Sequence, residues 1–332
     1  MKKRLIALLL LAVLLLPTVA CDGGQPPADT SPDTTAPEAT AEPTAPAVTR
    51  PVTNPETVAP ETAPETTAPE TEPETEPETE PPLGTVELDK SKPYKILFIG
   101  NSYTYYNNMP ARYFGEIMKA AGYRVKVMSL TKGGWTLLNS SNARDELGSQ
   151  VDSMLKNQDF DFVILQEQSM TPAVNCGSFY NAVKRLDKKI RECGATPVLY
   201  ATWGRKQGSG DLTAYGLTAE TMTWKLAAAY EHMGETHDIP VAHVGLAFRD
   251  IIQNQKGLTL HDPDLSHPSP EGSYLAALTL FARITGIDPT TVDYEGGVSP
   301  RIEPILKEAA RKAAFETPEI PEEYMKEARR QR

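Results

Sequence analysis

Nucleophilic chemistry in this 332-residue chain has to come from a serine and one of five histidines. A serine hydroxyl attacks a carbonyl only when a base lies within hydrogen-bond reach. Ser102 stands just past the apolar run 94–99, and helical spacing begins soon after it. His232 and His237 fall on or at the end of a helical stretch and read as surface residues. His243 falls in a strand-like run and reads as structural. His261 and His267 share the loop 260–268, where Asp264 precedes His267 by three residues. One turn of chain then sets a carboxylate against the imidazole, which fixes its tautomer and stabilises the imidazolium. An Asp or Ser at that point would equally cap the helix that follows Pro268. The Asp-x-x-His spacing therefore gains weight only in combination with Ser102.

Other chemistries lack their residues. Gly100 and Gly133-Gly134 do not form the spaced set that a phosphate-binding loop requires. No Cys or His spacing suits a metal, so neither a cofactor nor a metal is expected. Trp135, Trp203, Tyr103, Tyr105 and Tyr106 gather near predicted strand ends. Aromatic faces there either stack on sugar rings or pack into the core.

Apolar runs predict strands at 94–99, 160–165, 197–201 and 239–244, and alternation predicts one at 124–130. Helical spacing falls at 109–121, 136–155, 179–193, 219–237, 270–284 and 301–315. Such alternation predicts a central parallel sheet of about five strands with helices on both faces. Sites in these folds lie beyond the carboxyl ends of the strands. That rim is 100–104, 131–135, 166–169 and 203–205, joined by the loop 261–268.

The blocks Gly100-Asn101-Ser102, Gly134 and Asp264-x-x-His267, in this order, resemble those of the SGNH (GDSL-type) hydrolase superfamily. Asn101-Ser102-Tyr103-Thr104, Gly133-Gly134-Trp135-Thr136 and Leu165-Gln166-Glu167-Gln168-Ser169 resemble a branch of it seen in bacterial exported proteins. The resemblance spans residues 94–286 and implies a three-layer α/β/α, flavodoxin-like fold. It implies Ser102 as nucleophile, His267 as base and Asp264 as the acid that orients it. Backbone N–H groups of Ser102 and Gly134 are implied as oxyanion donors. The third donor of the superfamily is usually an Asn after the third strand. Here Gln168 or Gln166 would supply that amide. Glu167 between them reads either as a support behind the site or as a polar strand end. The superfamily's usual Gly-Asp-Ser becomes Gly-Asn-Ser, at a position that is not the catalytic acid.

The implied activity is hydrolysis of carboxylic esters, removing acetyl or another short acyl group from an extracellular or cell-wall glycan, with Trp135, Trp203 and Tyr103 as candidate substrate contacts. An O-acyltransferase on the same fold and a non-catalytic glycan-binding module are the rival expectations.

The N-terminus predicts export. Lys2, Lys3 and Arg4 precede the apolar run 5–16, and Thr18-Val19-Ala20-Cys21 follows. This resembles a lipoprotein signal with Cys21 as the lipidated residue, and the run is short for a membrane span. Residues 22–90 read as a Thr/Pro/Glu-rich spacer with nothing to bury against the entropy of ordering. Fully extended, it would reach on the order of 200 Å. Between Cys21 and Glu80 fourteen acids face one base, which accounts for the net charge of −11. The domain expected at 91–315 is left near neutral, with no basic patch for nucleic acid. Residues 316–332 read as a tail. Cys176 and Cys193 read as two separate thiols or, in an exported protein, as a pair.

Overall fold

The computed structural model describes residues 88–316 and 319–331. The leader, Cys21 and the spacer as far as residue 87 lie outside the described residues. Strand β1 (Pro93–Gly100) pairs in parallel with β2 (Arg124–Thr131) on one side and with β3 (Phe162–Leu165) on the other. Beyond β3 come β4 (Thr196–Tyr200) and β5 (Val241–Ala242), also parallel, giving the order β2-β1-β3-β4-β5. This is the flavodoxin-like order, whose ligand crevice opens between β1 and β3.

Side chains alternate across the sheet with period two. Ile96, Phe98, Ile164, Val198 and Tyr200 enter one apolar layer, and Leu97, Ile99, Val163, Leu165 and Leu199 the other. The helices in chain order are α1 (Ser102–Tyr105), α2 (Gly115–Ala120), α3 (Leu137–Ser141), α4 (Glu146–Asn157), α5 (Thr171–Val174) and α6 (Cys176–Glu192). They continue as α7 (Gly210–Ala214), α8 (Ala219–His237), α9 (Val244–Asn254), α10 (Pro270–Thr285), α11 (Glu303–Phe315) and α12 (Glu322–Arg330). Phe248 of α9, Leu278 and Phe281 of α10 and Leu306 of α11 fill the first layer. Val151 of α4, Val183 and Leu186 of α6 and Tyr230 of α8 fill the second. The result is the three-layer α/β/α sandwich that the alternation of elements predicts.

Four elements depart from the sequence reading. The helix expected over 109–121 begins as a π-helical turn, Met109–Phe114, before α2. Asn107 and Asn108, both at positive φ, turn the chain into it. The helical stretch expected over 136–155 splits into α3 and α4. The chain doubles back so closely that a Cβ on Gly148 would lie 1.9 Å from the Asn142 carbonyl. The fifth strand shrinks to two residues: Pro240 offers no N–H to a ladder, and His243 already caps α9. The expected tail contains α12, which packs Met325 and Ala328 against Ala228 of α8. Cys176 is buried and Cys193 exposed, and both are free thiols.

Candidate active site

β1 ends at Gly100, and Asn101 caps α1 by accepting the Tyr103 N–H on its side-chain oxygen. Ser102 is thereby the first residue of a one-turn helix, its backbone facing the rim. Glycine at 100 leaves room for the two side chains that meet over it: a Cβ there would lie 2.5 Å from Gln166 Oε1 and 2.6 Å from Thr104 Oγ1.

The loop before α10 brings His267 to Ser102, with Nε2 2.8 Å from Oγ. Asp264 accepts from His267 Nδ1 through one oxygen. Its other oxygen accepts the backbone N–H groups of Ser266 and His267, each at 2.9 Å. Burial works to raise the Asp264 carboxyl, but the His267 side chain and the two backbone donors outweigh it and hold it below the ordinary value of 3.8. The carboxylate therefore stays charged while His267 donates to it. With Nδ1 so committed, Nε2 is left to take a proton from Ser102.

Two aromatics expected at the substrate instead hold this loop from below. Trp203 is 1% exposed, stacked between Tyr103 at 4.6 Å and Phe248 at 4.2 Å. Its indole N–H donates to the Ser266 carbonyl at 3.1 Å, and Tyr103 Oη lies 2.9 Å from Ser266 Oγ. Neither ring has a free face for a ligand, which corrects their assignment as substrate contacts. Tyr106 was missed as a partner of the imidazole. Its ring stacks on His267 at 4.0 Å and 6°, where an aromatic face favours a cation. Trp135 remains at the half-buried rim, with Lys132 Nζ 4.3 Å over its ring.

On the oxyanion side, Gly134 is exposed at φ +69°, a conformation that favours glycine. Among the described residues, neither the Ser102 nor the Gly134 N–H donates to a protein acceptor. Both remain available for a developing negative charge. The glutamine side chains are engaged in the local turns. Gln168 Oε1 accepts from Met170 and Thr171 N–H, and its Nε2 reaches Ser169 Oγ at 3.3 Å. It is consumed in closing the turn before α5. Gln166 presents its oxygen rather than its nitrogen to the nucleophile turn. Oε1 accepts Asn101 N–H and Thr104 Oγ1, each at 2.8 Å, while Nε2 donates to the Glu167 carbonyl. The Asn101 N–H can only donate, so this orientation of the amide is fixed. Gln166 thus turns its oxygen to the nucleophile turn, and Gln168 is held in its own turn, in place of an amide aimed directly at the oxyanion side.

Asn101 carries a further contact: its Nδ2 donates to the Trp135 carbonyl at 2.9 Å. An ionised Asp there could not donate. The replacement of Asp by Asn was the one sign of this contact in the sequence. No group of three or more His, Cys, Asp or Glu side chains converges as metal ligands would among the described residues.

No protein-family model and no curated protein sequence matches the chain. Among solved structures it is similar to a protein from Slackia heliotrinireducens described as "a putative SGNH hydrolase". The identity is 30%, the TM-score 0.52, and the match covers 58% of this chain and 99% of that one. It is also similar in fold to a DUF4886-family protein from Bacteroides uniformis, at 18% identity and TM-score 0.59, covering 70% of this chain and 99% of that one. The first match runs the whole length of a relative at an identity that fold likeness alone does not require, and the chain belongs to the SGNH hydrolase family.

Proposed function

We propose that this protein is a serine esterase that removes acetyl or another short acyl group from an extracellular glycan. The carrying observation is the line from Asp264 through His267 to Ser102 Oγ, with Nε2 at 2.8 Å. Ser102 Oγ attacks the ester carbonyl while His267 Nε2 takes its proton. The N–H groups of Ser102 and Gly134 receive the oxyanion. Collapse of the tetrahedral species breaks the bond to the alcohol, which leaves with the proton from His267. Water then attacks the acyl-enzyme, with His267 again as base, and releases the carboxylic acid and free Ser102.

The glycan is inferred from the rim. Tyr105 is 41% exposed with its hydroxyl beside Gly133, and half-buried Trp135 follows Gly134 in the chain. An exposed aromatic at the rim suits stacking on a sugar ring. Lipidation at Cys21 and the acidic spacer would hold the enzyme at the outer face of the cytoplasmic membrane, within reach of wall polymers.

The full-length protein is to be assayed on p-nitrophenyl acetate, longer p-nitrophenyl esters and acetylated polysaccharides, with acetate release measured. Acetate release from a glycan with preference for the shortest ester supports the proposal. Preference for long acyl chains with no release from glycans contradicts the substrate. Transfer of acetyl to an added sugar in place of acetate release would make the enzyme a transferase.

A further inference from the structure

Glu167 has no part in the reaction above, yet it is a fully buried acid within the rim segment 166–169. Its two oxygens lie 3.1 and 3.2 Å from the Leu137 N–H, and one also accepts the Gln168 N–H at 2.6 Å. Leu137 opens α3 three residues after Gly134. The neighbouring Gln166 reaches the opposite way, to Asn101 N–H and Thr104 Oγ1 of the nucleophile turn. Adjacent residues at the end of β3 thus grip the backbone on either side of the two oxyanion donors. Asn101 ties the two grips together through the Trp135 carbonyl.

We propose that Gln166 and Glu167 form a positioning pair that sets the separation of the Ser102 and Gly134 N–H groups. The inference rests on the serine esterase reading. Oxyanion donors act only when aimed at where charge develops, and losing one costs about 10²–10³ in kcat. A loop that drifts should cost less, and should do so in the transition state alone.

The test uses full-length protein, p-nitrophenyl acetate as substrate and a boronic acid as transition-state mimic. Glu167→Met removes the acceptors at similar volume. It is expected to lower kcat about 10- to 100-fold, with KM within about twofold and boronate affinity falling in step. Glu167→Gln keeps one oxygen within reach of both N–H groups and is expected to recover most of the loss. Thr104→Val, which removes one donor to Gln166, should show a smaller loss with the same pattern, and it decides the matter if Glu167→Met does not fold. A folded Glu167→Met with wild-type kcat overturns the proposal, as does a loss of kcat without loss of boronate affinity. Wild-type protein that neither turns over nor labels at Ser102 would instead overturn the esterase reading beneath it.

Discussion

Asp264 is used twice: one oxygen orients the imidazole and the other ties down the loop that carries it. Glu167 has a different environment and a different consequence. Burial pushes its carboxyl up to about 7 from the ordinary 4.5, against the lowering effect of the Gln168 and Leu137 N–H groups. Tyr230 of α8 faces it, with its hydroxyl accepting the Glu167 N–H at 3.0 Å. The folded protein keeps this proton to about pH 7, whereas the unfolded chain releases it near 4.5. Stability should therefore fall as pH rises through that window, by roughly 3 kcal/mol at most. Thermal melts at pH 4.5 to 8 check this: Glu167→Gln should flatten that part of the wild-type dependence, and an unchanged slope would contradict it. Ser102, His267 and Asp264, which the structure brings into one hydrogen-bonded line, were legible through the blocks that resemble the SGNH superfamily, since the Asp-x-x-His spacing alone equally fits a helix cap. The environment of Glu167 was not, because nothing in a sequence distinguishes a polar strand end from an acid enclosed by backbone donors.

At the level of elements, the strand ends were readable because each core strand is an apolar run with a polar or glycine stop. The breaks were harder. The π-helical turn after Asn108 shares its residue types with an α-helix, and the split between α3 and α4 depends on a tertiary approach at Gly148. Trp203 and Tyr103 were read as rim residues because they follow a strand and a nucleophile. The structure turns both inward beneath the His267 loop. Replacing Trp203 with Ala should cost about 3–5 kcal/mol, as large aromatic truncations do, and should also loosen Ser266. Chemical denaturation and steady-state kinetics read both: lower stability with a lower kcat is expected. A higher KM with unchanged stability would restore Trp203 to the substrate.

For the molecule as a whole, α12 closes the second layer behind the sheet. Tyr180 Oη donates to the Ala328 carbonyl at 3.1 Å, Lys225 pairs with Glu327, and Met325 covers Ala228. Charged residues dominate the composition of this segment, which was read as a tail, and Ile320, Tyr324, Met325 and Ala328 supply its apolar contacts. Ending the chain at residue 318 should lower the melting temperature by several degrees while leaving kcat of the folded enzyme unchanged, since these contacts lie on α6 and α8 rather than on the rim. A truncated enzyme with native stability would contradict this account of α12.

The central claim is that Ser102 is a nucleophile activated by His267. Its most direct measurement is mass-spectrometric mapping of the adduct formed by a fluorophosphonate probe on the full-length protein. The account predicts a single adduct on Ser102, lost in Ser102→Ala and formed at least about 100-fold more slowly in His267→Ala. No adduct on folded wild-type protein, or one at another serine, would contradict it.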